Sequence, residues 1–172
     1  MTIATKLGKG YEEVRASARF KTIQIECNDV TFELKVRIPV KREMEALVSS
    51  ITEPDDARVQ QVYEQLGAPL RKTLEDAGDD FLNALNKDNE KIKITENDVI
   101  VDGTSVRQVA KMTVISQLQV EKYFSLLHSA TGEPITESYE EIAEEFPEAV
   151  IKEIVAKIDE AIKPNYKESK KN

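Results

Sequence analysis

A chain of 172 residues with 40% hydrophobic side chains is long enough to bury one ordinary core. Its 32 acidic residues against 24 basic ones leave a formal charge of −8, which repels phosphate backbones and anionic surfaces, so neither nucleic acid nor membrane is an expected partner. Cys27 alone excludes an intramolecular disulfide, and no run of about 18 apolar residues marks a membrane span.

Residues 1 to 18 mix Lys6, Gly8, Lys9, Gly10 and Arg15 with few large apolar groups, too little to offset chain entropy, and read as a flexible arm. From about 20 to 38 apolar residues alternate with polar ones: Ile23, Ile25 and Cys27, then Val30, Phe32, Leu34, Val36 and Ile38. That period of two predicts a half-buried β-hairpin turning at Asn28-Asp29 and ending at Pro39. Met44, Leu47, Val48 and Ile51 lie on one helical stripe. The helical pattern resumes at Val59, Val62, Tyr63, Leu66, Leu70 and Leu74, and again at Phe81, Leu82 and Leu85, with interruptions expected at Gly67, Pro69 and Gly78.

Residues 91 to 102 predict a second short strand pair around Glu96-Asn97-Asp98. A long central helix is expected over 105 to 128, with apolar residues on more than one face. Ser138 followed by Glu141 is a capping-box signature for a short helix, and Pro147 suits the first turn of an amphipathic one over 147 to 162. In that last helix six aliphatic residues, Val150, Ile151, Ile154, Val155, Ile158 and Ile162, form one stripe. Their burial is worth on the order of ten kcal/mol, against a few tenths for each i,i+4 pair such as Glu148–Lys152, Glu153–Lys157 and Asp159–Lys163. The stripe is for burial, against its own core or another chain. The expected fold is thus α+β and mostly helical, with an arm over 1–18, one domain over 19–163 and a disordered tail over 164–172.

Catalytic signals are sparse. His128, at the expected end of the long helix, reads as a group facing the negative helix terminus, and Cys27 beside a hairpin turn has no recognisable oxyanion loop near it. One Cys and one His cannot complete a zinc tetrahedron. The segment 88–98 lacks the ligand order of a calcium loop, and the Gly8-Lys9-Gly10 run is too short to cradle phosphate. The glutamates from Glu133 to Glu148 sit in a polar, turn-rich neighbourhood, where no burial raises a carboxyl into the acid–base range. No catalytic residue, metal or cofactor is expected.

The order of hairpin, helix, long apolar helix, turn and an aromatic-proline step opening a last amphipathic helix resembles the tail assembly chaperones of long-tailed bacteriophages of the lambda type. The residues that carry it are VTFELKVRIPVKREMEALVSSI from Val30 and LQVEKYFSLLHSATGEPITESYEEIAEEFPEAVIKEIVAKI from Leu118. The basic arm and the strand pair at 91–102 depart from that pattern. The resemblance implies a non-enzymatic protein of the host cytoplasm, absent from the mature virion. Such a protein binds the phage tape measure protein, keeps it soluble and promotes polymerisation of the tail tube protein around it, with self-association allowed. A chaperone needs apolar surface for its client, and Phe124, Leu127, Val150, Ile154 and Ile158 are the residues expected to supply it. The alternatives are a structural virion component of the tail tube or connector, an enzyme using the acidic residues, and an acidic host-directed inhibitor.

Overall fold

The computed structural model describes residues 3–27, 29–87 and 91–163, with only the backbone described at 4, 12, 13, 15 and 16. In chain order the elements are α1 (Ile3–Lys6), α2 (Lys9–Ala18), β1 (Phe20–Cys27), β2 (Val30–Arg37), α3 (Lys41–Thr52), α4 (Asp56–Ala77) and α5 (Asp79–Asn86). Then follow β3 (Ile92–Ile94), β4 (Val99–Val101), β5 (Thr104–Ser105), α6 (Val106–Phe124), α7 (Tyr139–Glu145) and α8 (Glu148–Ile162). The class is α+β, as the two periodicities in the sequence require. The described residues gather into two compact units, one built from the chain up to Val48 and again from Gln119, the other from Ser49–Leu118. A single domain over 19–163 is the sequence expectation. The division falls inside α3 and α6, where an unbroken helical pattern carries no boundary signal.

In the first unit β1 and β2 form an antiparallel hairpin in which Cys27 pairs with Val30 and Phe20 with Arg37. Asp29 takes the left-handed conformation (φ 66°) that closes the turn. Opposite residues share a face, so Ile23 and Ile25 lie beside Leu34 and Phe32, and α8 packs against β1. Ile25, Ile154, Ile158 and Val36 are all but fully buried. An isolated hairpin is marginal in water, and the aliphatic stripe of α8 supplies the cover it lacks. Polar bonds tie the helix at two points: the backbone N–H of Glu26 donates to Glu153 Oε1 at 2.9 Å, and Lys21 Nζ donates to the Ala161 carbonyl at 2.9 Å. Glu153 is therefore spent on the hairpin and not on Lys157. Lys152 does pair with Glu148, at 2.6 Å, and Lys163 with Asp159.

The arm expected over 1–18 carries helices α1 and α2, broken at Gly8 (φ 87°), and their described side chains are exposed. The tail over 164–172 lies outside the described residues. At the foot of the hairpin Glu43 Oε2 accepts from Arg19 (2.6 Å), Arg37 (2.9 Å) and the backbone N–H of Val40 (3.0 Å), fixing the start of α3 to both strands.

In the second unit Val59, Val62 and Tyr63 of α4 pack with Ala110 and Val114 of α6, and Arg107 lies 4.3 Å above the Tyr63 ring. α4 runs unbroken from Asp56 to Ala77 through Gly67 and Pro69, contrary to the expected interruptions there; only Gly78 (φ 81°) ends it. Gly67 is the contact point for Tyr63, whose ring atom Cε2 would stand 2.8 Å from an added Cβ. The expected strand pair over 91–102 is a three-stranded sheet in the order β3-β4-β5, with the tight turn Asp102-Gly103 at positive φ (49° and 77°). Asp98 accepts from Val99 N, Arg107 N and Ser105 Oγ, and so joins β4 to the first turn of α6. Burial pushes its carboxyl up, but these donors outweigh burial and hold it below the ordinary carboxylate range.

Candidate protein-binding groove

The long helix expected to reach residue 128 stops at Phe124. The chain then turns, and its backbone joins the outer edge of β2: Arg37 N donates to the Leu126 carbonyl (2.8 Å) and His128 N to the Lys35 carbonyl (2.8 Å). His128 is thus part of a β-bridge region and not a cap on the helix terminus. Its ring meets Phe20 edge-on at 5.2 Å. Leu126 N and Leu127 N close a tight last turn on the Tyr123 and Phe124 carbonyls, and the next N–H, that of His128, finds a strand carbonyl instead of a further helical turn. Cys27 sits at the turn end of the hairpin and Phe20 at the other, seven strand residues or roughly 23 Å away. No Cys–His nucleophilic pair forms.

Beyond His128 the chain returns through a turn to α7. Ser138 Oγ accepts from Glu141 N while Glu141 Oε2 accepts from Ser138 N (2.7 Å), the expected capping box. The Ser138 donors hold the Glu141 carboxyl below its ordinary range. The Glu148 carboxyl is lowered likewise, by its bond to Lys152 and that cation's charge. Both shifts favour the ionised form, opposite to what a general acid at neutral pH needs. Among the described residues no group of three or more metal-ligating side chains converges, and no helix is long and apolar enough to cross a membrane.

Between the edge of β2, the segment after α6, the turn, α7 and the middle of α8 lies a groove of about 620 Å³. Phe32, Leu34, Phe124, Ile142, Phe146 and Ile154 give it an apolar floor, with Phe124 and Phe146 in edge-to-face contact at 5.8 Å. Leu127 and Ile135 extend that surface toward solvent. The rim is acidic: Glu33, Glu137, Glu141 and Glu145 line it against Lys35 and His128. None of the four carboxylates has an ion-pair partner among the described residues.

No known protein family, curated protein or solved structure matches the chain. The groove must be read from its own chemistry.

The structure divides the residues expected to meet a partner. Val150 and Ile158 are 8% and 0% exposed in the core and take no part in the groove. Phe124 and Ile154, at 3% and 1%, present only an edge to its floor, and half-buried Leu127 stands at its wall. Phe32, Leu34, Ile135, Ile142 and Phe146 complete the surface and were not expected there. The strand alternation places Phe32 and Leu34 on the inner face of the hairpin, but their meeting with α7 depends on how residues 125–138 return, which no local pattern encodes.

Proposed function

We propose that the chain is a non-enzymatic assembly chaperone that covers an apolar segment of an aggregation-prone client. Following its resemblance to phage tail assembly chaperones, that client is the tape measure protein, held soluble in the host cytoplasm until tail tube subunits polymerise around it. The observation that supports this reading is the groove, whose apolar floor and acidic rim are open within one chain. A surface of this kind suits side chains that would otherwise drive association of the client with itself. The surrounding charge of −8 keeps a loaded complex dispersed.

Co-expression with the tape measure protein tests it. The wild-type chain is expected to co-purify with the client and raise its soluble fraction, whereas Leu127→Glu, which sets a charge in the apolar wall, is expected to lose both effects while keeping its far-ultraviolet dichroism. A client equally soluble with and without the wild-type chain overturns the reading. The same chain found as a stoichiometric component of purified particles favours the virion-subunit alternative.

A further inference from the structure

The first helices pose a question that client binding does not answer. Ile3, Leu7 and Tyr11 recur every four residues, and they are 78%, 61% and 47% exposed. Between them Lys6 and Lys9 are exposed as well, and residues 3–11 contain no acid. Three exposed apolar side chains, set on either side of the break at Gly8 and interspersed with cations, thus stand in solvent within the same chain as an apolar groove flanked by carboxylates. Neither covers the other.

We propose that residues 3–11 of one copy occupy the groove of a second, in a reciprocal pair with two arm–groove contacts. The match is one of chemistry. The three anchors supply the apolar side chains, and Lys6 and Lys9 face a rim on which four carboxylates outnumber one lysine. Gly8, at φ 87° between the two helices, is a residue whose backbone adopts many conformations at little cost, which lets the direction of the segment vary there. A reciprocal exchange closes on itself and consumes both surfaces, which an open-ended contact would leave exposed at the ends of a filament. The pair is also a stored form of the chaperone, since an arm and a client compete for one surface.

A charge swap in the full-length chain is the test. Sedimentation velocity over a range of protein concentrations is expected to show a reversible dimer that weakens as salt is added. Lys6→Glu with Lys9→Glu on the arm, or Glu137→Lys with Glu145→Lys on the rim, is expected to weaken it by about tenfold, and all four changes in one chain to restore it. The arm substitutions are at exposed positions, and Leu7→Glu removes an anchor there without touching the core. A chain that is monomeric at every concentration overturns the proposal, whether its arm lies free or folds onto its own groove. So does a dimer indifferent to both the arm reversal and Leu7→Glu.

Discussion

Single side chains carry much of the polar order of this molecule, and Glu43 is the clearest case. One of its oxygens accepts from Val40 N, Arg19 and Arg37, so the start of α3 and both strands of the hairpin depend on one carboxylate. The Val40 N–H, and then the two guanidiniums against the opposing effect of burial, hold its carboxyl below the ordinary range. A folded-state pKa below the unfolded one makes the contribution to stability fully present above the unfolded carboxylate range, about 4.3, and lost as pH falls through the folded value. Glu43→Gln is therefore expected to cost about 1 kcal/mol at pH 7, a discounted figure because the group is partly in solvent, and less at pH 3. Urea unfolding at the two pH values measures it. An equal loss at both would show that shape, and not charge, holds the three donors.

Among the elements, legibility follows how local the cause is. The hairpin register, the capping box of α7 and the stripe of α8 rest on alternation, a cap four residues wide and 3.6-residue spacing, and each stands where its pattern places it. What fails to show in the sequence is decided by contacts between elements. The chain leaves the helix at Phe124 because β2 offers it bonding groups, and α4 passes Gly67 and Pro69 because tertiary packing outweighs two poor helix formers. The candidate groove is legible only in part for the same reason: an amphipathic stripe announces burial without naming what buries it, and α8 is covered by β1. Gly67 makes the point measurable. Alanine in a helix interior normally gains about 1 kcal/mol over glycine, but here its Cβ would stand 2.8 Å from the Tyr63 ring, and overpacking costs roughly 1 to 3 kcal/mol. Gly67→Ala is expected to destabilise by about 1 kcal/mol. In a Tyr63→Leu background the same change is expected to stabilise. A double-mutant cycle by urea unfolding reads the coupling, and a stabilising Gly67→Ala in the wild-type background would remove the ring as the reason for glycine.

At the scale of the whole chain, the competing places for the proposed client are the stripe of α8, which the sequence offers, and the groove beside it. They differ in what a client would have to displace. Taking the stripe means uncovering Ile154 and Ile158 from β1 and exposing six aliphatic side chains, a loss on the order of ten kcal/mol before any contact with the client is made. Taking the groove displaces water, and in the paired form an arm. A bound client should therefore leave α8 seated and slow exchange where the groove's backbone is open. The outer edge of β2 is one such place, since the N–H groups of Thr31 and Glu33 alternate with those bonded toward β1 and have no partner among the described residues. Hydrogen exchange on the chain with and without the proposed client is expected to show new protection over 31–35 and 127–137 and unchanged protection over 150–162. Faster exchange across α8 with none gained at β2 would mean that the helix swings out to take the client itself. The open edge of β2 and the seated helix then could not both be true of the loaded state, and the groove would be a by-product of folding instead of the site.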